Sequence, residues 1–382
     1  MIKKLNLLIV LAAAAGVAGI VAVMNQTRSR EGIAIKGKVI SIYGRNYTLA
    51  KVAALAAELG HAEAFSYDAK KREAMANASL LVYGSLQIGD PADAALGETL
   101  LLNTIVCGDL RVEVARGGEL RVYHSVIQTV SQILTQEKCS RGYYFLTDGV
   151  LKAADSRILY MSGARGPTAM RDARVDLQRV AFALSDDCSF HTYGVDGKRL
   201  VIQDTQFLCE GAYGFQVEGA GGAPVRLVRC RLVGTDSDLY LAGDRPAAEL
   251  VDCQFSKSKV RFYQGSGRVA VRWTVGARVV ERGTGKPLAG VEVVATSAGA
   301  GPAETVKGRT GADGGCSLEL TEYIAEPNSP AGQDLGTVVT PHRIAALSAV
   351  GKVLAEVKGH EARGPGEAVT LEVSPADLVA NR

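Results

Sequence analysis

The chain has 382 residues, with 43 Lys and Arg against 40 Asp and Glu, a net charge of +3 and 6% aromatic residues. With near-balanced charge, few aromatics and no dense basic run, it lacks the electrostatic footprint of a nucleic-acid binder. It is also longer than a typical single domain, so at least two folded units plus any targeting segment are expected.

The first feature in chain order is "MIKK" followed by Leu5 to Val23, nineteen residues without a charge. A membrane span needs about 20 apolar residues, whereas a cleaved signal peptide has a shorter apolar core and a small-x-small exit. The exit "GIVAVMNQ" is a poor cleavage site. Residues 1–30 therefore read as a hydrophobic signal-anchor helix in preference to a cleaved signal peptide. Either way the rest of the chain is expected outside the cytoplasm, periplasmic or at the cell surface, and secreted if the segment is cleaved. The expected partner of this segment is the membrane.

Residues 31–79 form a lead-in. Within it "TLAKVAALAAELG", Thr48 to Gly60, predicts a helix with a Thr N-cap and a Gly stop. Its Ala-, Val- and Leu-rich face suits it to cover the open end of a sheet structure.

From residue 80 to 266 the sequence rhymes with itself. A small residue followed two places later by an apolar one recurs at Thr104/Val106, Ser125/Ile127, Ser156/Ile158, Val180/Phe182, Thr205/Phe207, Cys230/Leu232 and Cys253/Phe255. In the last four copies an aromatic stands eight residues after the apolar one, at Phe190, Phe215, Tyr240 and Tyr263, and a turn former follows at Gly194, Gly219, Asp244 and Gly267. Apolar residues alternate with period two, as on a strand with one buried face. The step from Leu177 to Val180, or from Ile202 to Thr205, is odd, so in a flat strand it would turn the side chain to the opposite face. Both positions are apolar or small, so the chain is expected to bend between them. Short strands joined by bends every two dozen or so residues describe one turn of a coil, stacked on its neighbours at about 4.8 Å. Arg179, Asp204, Arg229 and Asp252 precede the small residue with alternating sign, which favours pairing between rungs.

With "GSLQI" at 84–88, "GELRV" at 118–122 and "GVLKA" at 149–153, the pattern resembles the right-handed parallel β-helix repeats of cell-envelope and carbohydrate-active proteins. Phe190, Phe215, Tyr240 and Tyr263 would then form a stripe, read as an inward stack in preference to an outward sugar platform.

Residues 267–382 lose the period. Strand-like stretches include 269–281, 292–297, "CSLELTEY", "HRIAALSAV", "KVLAEVKG" and "AVTLEVS". "TGKPLAGVEV" followed by "TGADG" resembles the carboxypeptidase regulatory-like, transthyretin-like β-sandwich, which brings no catalytic residues. The expected fold class is all-β: a right-handed single-stranded parallel β-helix followed by a β-sandwich, with an N-terminal hydrophobic helix.

Motifs for chemistry are sparse. "GTGKP" puts Pro287 where a phosphate loop needs Ser or Thr, so it reads as a turn. The seven cysteines, Cys107, Cys139, Cys188, Cys209, Cys230, Cys253 and Cys316, show no metal spacing and read as small buried hydrophobes. No metal site and no cofactor is expected. In the repeat register Asp186 and Asp236 lie two rungs apart, about 10 Å, with Asp187, Asp238, His191 and Arg261 nearby. Asp186, Asp187, Asp236 and Asp238 are the candidate catalytic carboxylates of a polysaccharide hydrolase or lyase, and His191 and Arg261 the candidate binding residues. Acidic turn residues are common for backbone reasons. The reading that carries more weight is a non-enzymatic envelope protein that binds a surface glycan or a protein partner along its β-helix, with a structural spacer as a further alternative.

Overall fold

The computed structural model describes residues 32–104, 110–130, 143–161, 168–184, 189–209, 213–219, 222–263, 267–327 and 337–379. The expected anchor lies outside these residues, and no described helix is long and apolar enough to cross a membrane.

The protein is all-β, with mostly parallel sheets whose arrangement is compatible with a parallel β-helix. Successive strands visit three sheets in turn. Phe190–Tyr193 lies in sheet 1, Leu200–Gln203 in sheet 2 and Gln206–Cys209 in sheet 3, after which Tyr213–Glu218 returns to sheet 1 beside Phe190–Tyr193. Each circuit is one rung. Leu86, Leu120 and Leu151 of the three "GxLx" pieces are register partners in sheet 2, followed by Val175 and Leu200, and all five are buried.

The bend between sheets 2 and 3 has a single-residue cause. His124, Asp155, Arg179, Asp204, Arg229 and Asp252 all take left-handed backbone, with φ between +51° and +54°. One such residue turns the chain so that the next side chain points inward again. That inward side chain closes the corner: the hydroxyls of Ser125, Ser156 and Thr205 donate to the carbonyls of Tyr123, Ala154 and Gln203 at 2.6, 2.7 and 2.8 Å. Cys230 and Cys253 do the same with thiols, to Val228 and Val251, both at 3.4 Å. The Ala154, Gln203, Val228 and Val251 carbonyls also accept from a backbone N–H of the preceding rung, so the small side chain adds a second hydrogen bond to a carbonyl that has two lone pairs, and Val180 fills the same corner without one.

The first copy of the repeat is corrected. The residue beside Val126 in sheet 3 is Thr99, which puts Glu98 and Leu100, not Thr104 and Val106, level with Ser125 and Ile127. Parallel pairing also starts before residue 80: Val39–Ile42 pairs with Ser79–Val82, and Glu73–Ala76 with Thr99–Leu102. A helix and the antiparallel hairpin Phe65–Asp68/Glu73–Ala76 interrupt this first rung and hide its period. The helix, α1 (Leu49–Glu58), begins as expected with Thr48 Oγ1 accepting from Lys51 N at 3.3 Å. It buries Leu49, Val52 and Ala56 against the end of the coil.

The interior holds an aromatic cluster. Phe182 stacks on Phe207 with ring centroids 5.4 Å apart, Phe190 on Phe215 at 5.3 Å, and Phe207 meets Phe215 edge-on at 4.9 Å. The inward stack stops there. Phe215 is level with Leu239 and Leu239 with Val260, so Tyr240 and Tyr263 lie one and three residues beyond the inward position. Tyr263 is 52% exposed. The turn position of that rung is likewise Gly243, at φ +83°, not Asp244.

After the last rung, strand Arg268–Glu281 runs through the expected boundary at 266/267. Its first part pairs parallel with Ala247–Val251, Val269 to Arg278 pairs antiparallel with Gly315–Ala325, and its last part pairs parallel with Ala368–Val373. A separate four-stranded sheet contains Thr305–Arg309, Glu292–Ser297, His342–Leu347 and Val353–His360. Polar clasps cross the junction: Arg226 Nη2 donates to both Glu319 oxygens at 2.6 and 2.7 Å, Thr274 N donates to Asp252 at 2.7 Å, and Lys257 Nζ donates at 2.5 Å to Glu322, whose other oxygen accepts from Trp273 Nε1 at 2.8 Å.

Candidate functional site

Sheet 1 places one polar or aromatic side chain per rung in an outward column. Phe190, Phe215, Leu239 and Val260 are register partners and fully buried. Strand alternation turns the next residue of each outward, giving the column His191, Gln216, Tyr240 and Arg261, each level with the next. The two binding candidates from the sequence, His191 and Arg261, are thus brought onto one face three rungs apart.

At one end of the column the side chains form a connected set. Ser189 Oγ donates to Gln216 Oε1 at 3.3 Å, and Gln216 Nε2 to Glu218 Oε2 at 3.5 Å. His191 Nε2 lies 2.7 Å from the same Glu218 oxygen, short in distance but poorly aligned for a hydrogen bond. Tyr193 meets the imidazole edge-on at 6.1 Å. Burial pulls the His191 pKa below the usual histidine range, and the Glu218 charge offsets this only in part. The ring is therefore neutral at pH 7. A pocket opens beside Glu218, lined by Thr192, Val217, Gly219 and Arg245.

At the other end Tyr213 stacks on Tyr240, with centroids 4.2 Å apart and planes 17° apart, and Tyr240 lies 6.3 Å from Tyr263 at a tilt. Burial and the neighbouring tyrosines raise the Tyr240 pKa, so its phenol is a neutral hydrogen-bonding group at neutral pH. Arg261 Nη1 donates to the carbonyls of Ser258 and Val260 at 2.5 and 3.2 Å, and Lys259 Nζ to that of Gly234 at 2.9 Å.

The carboxylate candidates divide. Asp186 and Asp187 lie outside the described residues. Asp236 is exposed. Asp238 is 5% exposed and bound to backbone, accepting from Gly234 N at 3.0 Å and Ser256 N at 2.7 Å. It ties a turn to the next rung, a structural role. Among the described residues no cluster of His, Cys, Asp or Glu is arranged to hold a metal ion. Sequence reasoning missed Glu218 and Tyr213. Glu218 could have been found by continuing the outward alternation two residues past Gln216, whereas the outward position of Tyr213 follows only from its stacking on Tyr240.

No protein-family model matches the chain, and no curated protein matches it. A 9R-lipoxygenase from Cyanothece is similar at 14% identity over 27% of this chain, with a TM-score of 0.19. The match spans 17% of that structure and carries no argument about fold or activity.

Proposed function

We propose that the chain is a non-enzymatic cell-envelope protein, membrane-anchored or exported through residues 1–30, that binds a surface glycan along the outside of its coil. In this reading the three-sheet coil is a right-handed parallel β-helix, and residues 267–382 are a transthyretin-like β-sandwich that closes its far end. The observation that carries the reading is the outward column His191, Gln216, Tyr240 and Arg261, with Tyr213, Tyr263 and Glu218 beside it. Sites for sugars combine hydrogen-bonding side chains with aromatic rings on a preformed surface, and a stacked sheet holds such side chains rigidly.

The test is a screen of the full-length chain in detergent against a polysaccharide panel, measuring bound polymer and released reducing or unsaturated ends in the same wells. Retention without product is the expected result. Released product that vanishes in Asp236→Ala would replace this reading with a hydrolase or lyase. Silence in both measurements would replace it with a spacer or a protein-binding role.

A further inference from the structure

The outward column also constrains the ligand, and this step rests on the glycan-binding reading above. We infer that the glycan is neutral and hydroxyl-rich and lies parallel to the coil axis, about one sugar ring per rung, across His191, Gln216, Tyr240 and Arg261.

The spacing argues for the direction. Register partners on adjacent strands are about 4.8 Å apart, close to the length of one pyranose ring. The four side chains are consecutive register partners, so a chain of about four rings meets one polar group per ring. A ligand crossing the sheet at right angles would meet only one rung.

The hydrogen-bonding inventory argues for hydroxyls. His191 Nε2 faces the Glu218 carboxylate at 2.7 Å; a lone pair on Nε2 would be repelled by that oxygen, which favours the neutral tautomer with its proton on Nε2 and leaves Nδ1 as an acceptor. Glu218 accepts only, the Gln216 amide offers both roles, and the Tyr240 phenol does too. A hydroxyl is the ligand group that both donates to the first two and exchanges bonds with the others. A carboxylate cannot donate to either His191 Nδ1 or Glu218.

Charge argues in the same direction. The middle of the column is uncharged: Gln216 and Tyr240 stand between His191 and Arg261. Lys259 and Arg261 already donate to backbone carbonyls, at Gly234, Ser258 and Val260. Arg245, exposed at the pocket beside Glu218, faces Asp244 at 3.5 Å. The described cations of this face therefore stand beside the column or at its last rung, each next to an acceptor, and a sugar carboxylate at the middle rungs would meet no cationic fork among the described residues.

The tyrosines differ in what they offer. Tyr213 and Tyr240 cover each other's ring faces at 4.2 Å and present edges and hydroxyls. Tyr263, tilted away and 52% exposed, keeps an open ring face at the terminal rung, where the apolar face of a sugar can stack.

The experiment titrates the full-length chain in detergent with neutral oligosaccharides of two to six rings and with uronate-containing oligomers of matched length, following heat of binding. Gln216→Ala, Tyr263→Ala and, as a control on the outer face of sheet 3, Gln128→Ala are compared, each with its thermal unfolding curve. Neutral oligomers should bind, tighten up to about four rings and then plateau. Gln216→Ala and Tyr263→Ala should each weaken binding about fivefold, the effect of one hydrogen bond or contact of about 1 kcal/mol, and Gln128→Ala should leave it unchanged. Binding of uronate oligomers alone, or of neutral oligomers with no response to Gln216→Ala and Tyr263→Ala in folded protein, overturns this inference and leaves the glycan-binding reading standing. Absence of binding to every oligomer and polymer overturns both.

Discussion

The guanidinium of Arg229 forks onto the carboxylate of Asp204 one rung away, Nε to Oδ1 at 2.7 Å and Nη2 to Oδ2 at 2.8 Å, and both residues hold left-handed backbone. Arg179 and Asp155 repeat the arrangement at 2.5 and 2.7 Å. Left-handed backbone is unfavourable for a residue with a Cβ by roughly 1–2 kcal/mol, less for Asp. The fork joins two such corners and offsets part of that strain.

A double-mutant cycle on Arg229→Ala and Asp204→Ala should give a coupling of about 0.5–1 kcal/mol in urea unfolding, modest because the Arg229 side chain is 51% exposed. The hydrogen bond from Arg229 holds Asp204 below the usual carboxylate range. Its contribution is therefore full above the unfolded Asp pKa of about 3.9 and falls away as pH drops through the lower folded value. Coupling that persists unchanged at pH 2 would mean that packing, not the ion pair, joins the corners.

Gly117 and Gly118 should respond differently to alanine. Gly117 has φ +84° with open space around it, so Gly117→Ala should lower stability by about 1–2 kcal/mol through backbone strain alone. At Gly118 a Cβ would lie 2.0 Å from the Val82 carbonyl oxygen on the neighbouring rung. Gly118→Ala must push two rungs apart and should lower stability by more, about 3 kcal/mol or beyond. Equal urea midpoints for the two variants would contradict the close stacking at Gly118.

The sole tryptophan, Trp273, lies in the strand Arg268–Glu281 that the coil shares with the C-terminal sheets. Its fluorescence and the circular dichroism of the whole chain should report one coincident unfolding transition. Two transitions, with tryptophan following only the later or earlier, would show that the two parts unfold independently despite the common strand.

Cys230 and Cys253 are 1% and 3% exposed, and contact with the Cys230 sulfur together with burial pushes the Cys253 thiol up. Both should resist alkylation in the native protein, while the half-buried Cys316 reacts first of the three. Site-resolved mass spectrometry after a short alkylation pulse checks this, and early labelling of Cys253 would contradict the closed corner.

His191 gives a pH signature. Burial sets its folded pKa below the unfolded value of about 6.5, so the unfolded chain binds the extra proton first as pH falls. Stability should decline below about pH 6.5 until the folded pKa is passed, and His191→Gln should remove that part of the slope. An identical pH profile in His191→Gln would show that the imidazole is not held neutral.

The repeat was legible in the sequence wherever a rung keeps its length. Ser156, Thr205, Cys230 and Cys253 stand at one corner as expected, because only a small side chain fits inside the bend, and each turns its O–H or S–H to the carbonyl two residues earlier. The first rung was not legible, since α1 and a hairpin separate its strands. The aromatic stripe misled for a related reason: the offset of eight from Phe207 to Phe215 is seven from Leu232 to the inward Leu239. A one-residue difference moves a side chain to the other face, which carried Tyr240 outward into the candidate site.

Residue pattern alone determined that the chain builds an all-β coil with bends before its small residues, since alternation and corner chemistry are local demands repeated rung by rung. Only the tertiary structure decided which residues share a face. Register between strands more than twenty residues apart depends on the length of each intervening connection, and that sum brings His191, Glu218 and Tyr240 together on one surface and turns Asp238 into the backbone.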